Sequence, residues 1–238
     1  MKPPLEDTAA DILGKAQRGL RLPGETDPVR LGLNPVALRA IAANQWYPRD
    51  PGPIPGLVCF RTAFGDMLVN SYVVFDPQTK DAAAFDTGAD CSGMLALPVR
   101  LRHIFLTHAH ADHIADLARL QARTGATAFS SSREPVPDTL PFPEGREFRI
   151  GTLRVETRRT SGHARGGVSY VVTGLARRLV VVGDALFAGS MGGGLVNYEE
   201  ALRTNRENIL SLPDDTVICP GHGPLTTVGE EKRHNPFF

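Results

Sequence analysis

The sequence predicts an α/β fold in which helices cover sheets, preceded by a small helical extension. Three observations carry this. From Leu57 onward, short apolar, β-prone runs alternate irregularly with helix-patterned segments. Several of those runs end beside a glycine in a turn that holds a histidine or an aspartate. The 238 residues, 42% hydrophobic and 22% charged, suit one globular domain with a small appendage. A core of that size folds without a disulfide or a structural metal, so a metal bound here is expected to do chemistry.

Residues 1–50 read as a helical N-terminal extension. Ala9 to Ala16 and Pro35 to Ala43 have helical patterning, with Asp7-Thr8 and Asn34-Pro35 as starts. A Pro/Gly-rich link from Pro48 to Pro55 separates them from a main domain over 51–238. The extension is expected to pack on that domain or to help form a homodimer. In the main domain, Leu57 to Arg61 and Asn70 to Phe75 are strand-like; the turn Asp76 to Asp81 leads into Ala82 to Asp86. Leu101 to Leu106 is the next strand, and Ile114 to Thr124 is a helix with Ile114, Leu117 and Leu120 on one stripe. Phe148 to Val155 is a strand pair or a bent strand, and Val168 to Val172, Leu179 to Val182 and Thr216 to Cys219 complete the strands. A helix from Glu199 to Leu212 is closed by Pro213.

Charge narrows the function classes. Acidic and basic residues number 26 each, and no long block has a single sign. This weighs against a nucleic-acid or anionic-membrane footprint. No run is long and apolar enough to span a bilayer. Met1 to Asp7 lacks the apolar segment of a signal peptide. Three cysteines without CxxC spacing (Cys59, Cys91 and Cys219) predict a reducing, cytoplasmic setting with packing roles for all three.

The richest stretch is Thr107-His108-Ala109-His110-Ala111-Asp112-His113, directly after an apolar run. Neutral imidazole is the commonest protein metal ligand, and a carboxylate adds a hard, anionic one. Three later strand ends carry further candidates: Gly162-His163, Gly183-Asp184 and Gly221-His222. Of seven histidines, only His103, in a strand, and His234, near the C-terminal end, stand outside this pattern. Five histidines so placed are hard to explain as unrelated packing residues.

This ordered set, His108, His110, Asp112, His113, Gly162-His163, Asp184 and Gly221-His222-Gly223, resembles the metallo-β-lactamase fold superfamily over about residues 57–238. The turn Pro220 to Pro224 and the tail Thr227 to Phe237 look most like glyoxalase II-like (hydroxyacylglutathione hydrolase-like) metallohydrolases. The resemblance implies an αββα sandwich with a two-metal centre at one edge. It implies that His108, His110 and His163 hold one divalent ion, that Asp112, His113 and His222 hold the other, and that Asp184 bridges them. Asp112 and Asp184 would serve catalysis as well as ligation. The implied reaction is hydrolysis of a small thioester or ester by a hydroxide held between the ions. Zinc is the default metal, with iron or manganese as rivals.

Asp86-Thr87-Gly88 resembles the family's acidic turn behind the site; Asp86 either orients a ligand histidine or merely forms a turn. Tyr198 is a candidate substrate contact by its position after Asp184. The sequence departs from the glyoxalase II pattern after Asp184, where Ala185 to Gly194 carries no arginine. A C-terminal helical domain is also not expected after Phe238. A mononuclear iron enzyme like the persulfide dioxygenases, using His108, His163 and Asp184, is the alternative, and a phosphodiesterase or nuclease is a further one.

Overall fold

The computed structural model describes residue 5 and residues 7–24 and 26–238. Helices α1 (Ala9–Leu20) and α2 (Pro35–Ala42) come first. Thr8 and Asp11 form a capping box at the start of α1. The Asn34 side chain accepts from the Val36 and Ala37 N–H groups, with Pro35 at the first helical position of α2. Both starts are those the sequence predicts.

Two six-stranded sheets come next. The first holds, side by side, β1 (Leu57–Phe64), β2 (Met67–Phe75), β3 (Asp81–Phe85), β4 (Arg100–Phe105), β5 (Thr127–Ser131) and β6 (Leu140–Phe142). β1 to β3 pair antiparallel, whereas β3 to β6 pair parallel. Parallel neighbours need crossovers. α3 (Ser92–Leu95) supplies the one between β3 and β4, and α4 (Ala111–Ile114) with α5 (Leu117–Thr124) supplies the next.

The second sheet holds β7 (Glu147–Ile150), β8 (Leu153–Arg159), β9 (Val168–Thr173), β10 (Leu179–Gly183), β11 (Val217–Pro220) and β12 (Thr226–Thr227) in that spatial order. Here only β10 and β11 run parallel, joined through α6 (Tyr198–Asn208); α7 (Val228–His234) closes the chain.

The inner faces of the two sheets share one core. Tyr72, Phe85, Phe105, Phe129, Phe148, Tyr170 and Val181 lie within it. The alternation that builds it is plain in β8, where Leu153 and Val155 are buried and Arg154 is exposed. The outer face of the first sheet packs Ile104 and Ala84 against Met94 and Leu120 of α3 and α5. The outer face of the second packs Val180 and Ile218 against Ile209, Leu212 and Val228. The layers are therefore helix, sheet, sheet, helix.

Ile12, Ala16, Leu38, Ile41 and Trp46 form a further apolar cluster with Met191, Tyr198, Ala201 and Phe237. The N-terminal helices thus pack on the rest of the chain.

Three readings need correction. The single helix over 114–124 is two, α4 and α5, because Asp112 and His113 are drawn inward and Asp116, at the break, turns its carboxylate away from the helix to accept from Cys91 N. The helix expected to reach Leu212 ends at Asn208, and its apolar residues Ile209 to Leu212 continue as a turn into the outer core. Cys59 is exposed on the edge strand β1, whereas Cys91 and Cys219 are buried; all three are free thiols. Strands β5, β6 and β12 and helices α3 and α7 were not foreseen.

Candidate metal centre

Four strands of the two sheets end at a common edge. β4 runs into Leu106-Thr107-His108, β10 into Asp184, β11 into Gly221-His222 and β3 into Asp86. The stretch after β8 adds His163, and α4 turns Asp112 and His113 back toward the same point. The result is two groups of side chains, His108–His110–His163–Asp184 and Asp112–His113–His222, each with its ligand atoms within 4.8 Å of one another. Asp184 joins them. Its Oδ1 lies 3.2 Å from His113 Nε2, and its Oδ2 lies 3.5 Å from both His163 Nε2 and His222 Nε2.

Four of the imidazoles are held by one nitrogen so that the other faces inward. A carbonyl or carboxylate can only accept, so its partner ring nitrogen carries the proton. His163 Nδ1 donates to Gly193 O at 2.9 Å, and His222 Nδ1 donates to Leu68 O at 2.7 Å. His113 Nδ1 donates to Asp86 Oδ2 at 2.7 Å. His108 Nδ1 lies 3.0 Å from Thr107 Oγ1, whose own hydrogen goes to Asp86 Oδ2 at 2.8 Å, so the hydroxyl accepts from the ring. Each of these rings therefore turns its Nε2 to the interior as the atom left to ligate. His110 turns its Nδ1 inward instead, 3.1 Å from His163 Nε2.

That arrangement fits metal ions. His108 Nε2, His113 Nε2 and Asp184 Oδ1 are buried and form no aligned hydrogen bond. A buried acceptor left unmade costs roughly 1–3 kcal/mol, and a cation between several of them removes the cost at once. The ligand atoms also converge from separate elements of the folded chain, as a preformed site requires.

The electrostatics follow from burial and neighbours. Burial pulls the His108 imidazole well below its usual value, and the nearby His113 pulls it the same way. Burial would do the same to His113, but the Asp184 and Asp86 carboxylates outweigh it and raise His113 well above its usual value. For His222, hydrogen bonds to Asp112 and Asp184 overcome burial and lift it to about 10. Burial pushes Asp184 up, yet His113 and His222 hold it well below the carboxylate range.

The turns are built for close approach. A Cβ on Gly221 would lie 2.2 Å from Asp184 Oδ1, and one on Gly192 would lie 1.8 Å from Asp184 O and 2.8 Å from His163 Nδ1. Asp86 sits at φ 57°, where aspartate is tolerated, and accepts from Thr107 N, Thr107 Oγ1 and His113 Nδ1.

The seven predicted ligands are thus brought together, with Asp86 directly behind them. Tyr198 is elsewhere: its ring packs against Gly19 and Phe237, within the apolar cluster of α1 and α2. Arg165 is exposed. His103 packs between Phe105 and Phe129, and His234 stacks on Trp46.

Sequence reasoning missed Thr107, Asn70 and Tyr72. Asn70 Nδ2 donates to Pro220 O and Gly223 O, and Tyr72 Oη donates to Pro220 O at 2.7 Å, so both fix the turn that carries His222. Thr107 could have been found from its place in the histidine motif. Asn70 and Tyr72 carry no such signal, because their partners lie about 150 residues away in the chain.

The comparisons with known proteins agree with this geometry. The family model described as the metallo-beta-lactamase superfamily matches residues 64–222. The hydroxyacylglutathione hydrolase GloC of Haemophilus influenzae is 26% identical over 198 residues, 71% of this chain and 92% of that protein. The crystal structure of ETHE1 from Myxococcus xanthus superposes with a TM-score of 0.65 at 29% identity, covering 75% of this chain and 83% of that one. TTHA1623, crystallised in a di-iron-bound form, gives a TM-score of 0.62 at 28% identity, covering 75% of this chain and all of that one, 100%. With its sandwich fold, its strand-end ligands and a match over most of its length, the chain belongs to the metallo-beta-lactamase superfamily.

Proposed function

We propose that this chain is a dinuclear metallohydrolase that cleaves a small thioester or ester. The observation that carries this is the sharing of Asp184 between two complete ligand groups. A single-ion enzyme would leave Asp112, His113 and His222 buried together without a task. The H. influenzae relative, named as a hydroxyacylglutathione hydrolase, supports the thioester class. The di-iron form of a similar structure supports two divalent ions.

Bound divalent ions supply an activated water at neutral pH and polarise the carbonyl under attack. The chain does the rest. Asp184 holds the two ligand groups at a fixed separation. Asp112 is buried, with its Oδ2 3.3 Å from His222 Nε2 and 3.6 Å from His113 Nε2. With an ion held on Oδ2, its other carboxylate oxygen would orient the attacking water, take its proton as the new C–O bond forms, and hand it to the departing sulfur or oxygen as that bond breaks. Asp86 and the Gly193 and Leu68 carbonyls keep the imidazoles in the ligating tautomer. No serine or cysteine nucleophile is required.

Imidazole and carboxylate suit zinc, iron and manganese alike. Zinc is the default in this reading, the substrate is a small molecule and the setting is cytoplasmic. No helix among the described residues is long and apolar enough to cross a membrane. The test is turnover of S-lactoylglutathione and simple acyl esters by protein loaded with each metal in turn. Metal-dependent hydrolysis is expected; no hydrolysis of any ester with any metal sinks the reading. The mononuclear iron alternative predicts one iron per chain instead of two metals.

A further inference from the structure

α1 does more than cover apolar surface. Its Lys15 side chain is 11% exposed and reaches the loop over 185–197, which joins Asp184 to α6. There its ammonium meets three acceptors: Asp7 Oδ2 at 2.5 Å, Ser190 Oγ at 3.2 Å and the Met191 carbonyl. An ammonium has three N–H donors. The set is therefore complete, and no donor is left for a substrate. Ser190 Oγ donates to Asp7 Oδ2 and closes the arrangement.

Lys15 grips the chain one residue before its close approach to the ligands. Met191 immediately precedes Gly192, which lies against the Asp184 carbonyl and His163 Nδ1. Gly193 O is the acceptor that fixes the His163 tautomer. On the other side, Lys15 Nζ lies 5.7 Å from the Phe187 ring centroid, and that ring packs edge-on against His222 at 5.7 Å. The outer side of the same loop is held by α7, through Glu231 Oε2 to Gly189 N and Asn235 Nδ2 to Ser190 O.

We propose that Lys15, set by Asp7, is a positioning residue of the metal centre: it anchors the Met191 carbonyl so that Gly192 and Gly193 hold His163 in its ligating pose. The N-terminal extension is then part of the catalytic apparatus and not only an appendage. A buried ion pair is a poor source of stability compared with apolar packing. Its two directed bonds to one loop, with Asp7 setting the ammonium, are better accounted for by orientation. The proposal rests on the two-metal reading above.

The test is a stepwise cobalt(II) titration of the full chain, followed by visible absorption, for wild type and Lys15→Met. Wild type is expected to bind in two steps. In Lys15→Met the step involving His163 should weaken by about tenfold or more, the size expected when a residue behind a ligand is lost, and the other step should persist. A Lys15→Met chain that titrates like wild type overturns the proposal. If Lys15→Met does not fold by circular dichroism, Asp7→Asn, which keeps the lysine and the side-chain size, takes its place. A selective weakening of the same step is expected there, and titration indistinguishable from wild type overturns the proposal. Wild type that binds no cobalt contradicts the two-metal reading itself, whereas two intact steps in both proteins overturn only the role of Lys15.

Discussion

Asp86 is the residue on which most of the ligand geometry converges. Three donors end on its carboxylate, and two of them, His113 Nδ1 and Thr107 Oγ1, control the facing of His113 and His108. Replacing it with alanine frees both rings at once. Asp86→Ala is expected to lower metal affinity by about 10–100-fold, measured by chelator competition. An unchanged affinity would reduce Asp86 to a turn former. Gly192 is the second such point. A methyl group there meets the backbone of Asp184 and not a yielding side chain. Gly192→Ala should destabilise the fold by about 1–3 kcal/mol in denaturant unfolding and weaken metal binding with it. Among these residues, the candidate ligands were legible in the sequence because histidine and aspartate at strand ends beside glycine have few other uses. Asp86 was legible only as an even choice between two roles, because a turn-forming Asp-Thr-Gly looks the same whether or not a histidine lies behind it. Tyr198 was misplaced because position after Asp184 says nothing about direction, and the ring turns to Gly19 and Phe237.

At the scale of elements, α7 holds the loop after Asp184 through a buried carboxyl. Glu231 is fully buried, accepts from Thr226 Oγ1, Gly189 N and Asn235 Nδ2, and is raised by burial, against those hydrogen bonds, to about 7. The folded chain thus holds a proton on Glu231 that the unfolded chain releases from its ordinary value of 4.5 upward. The stability this group contributes is complete below the unfolded value and falls as pH rises toward about 7. Glu231→Gln abolishes the titration. Between about pH 5 and pH 8 the stability difference should move in favour of the glutamine variant by roughly 1–3 kcal/mol, read from thermal unfolding at each pH. Parallel pH curves for the two proteins would contradict this. The helix itself was missed, although Thr227 followed by Glu230 is a start signal, and Thr227 does accept from Glu230 N. β5 and β6 were missed for a different reason: they are short, β6 contains Pro141, and both pair only in parallel. α1 and α2 were read correctly from their caps, but that they bury Trp46 and Ile41 against Met191 depends on contacts that no local pattern encodes.

For the whole molecule, the sandwich gathers strand ends from both sheets at one edge, and cations bound there would tie those ends together. Metal should therefore stabilise the fold, by about 2.7 kcal/mol at a hundredfold excess over Kd, so chelation should lower Tm; an unchanged Tm would argue against a preformed site. Loading should also depend on pH. His113 is raised well above its usual value and His222 to about 10, so both hold protons that ions must displace. Affinity is expected to fall as pH falls, with protons released on binding, checked by calorimetry in buffers of different ionisation enthalpy. The central claim is that two complete ligand groups share Asp184, and its most direct test is elemental analysis of metal-loaded protein. The account predicts two divalent ions per chain, falling to about one in His222→Ala with the fold intact. One ion per chain in the wild type, unaffected by His222→Ala, would contradict it.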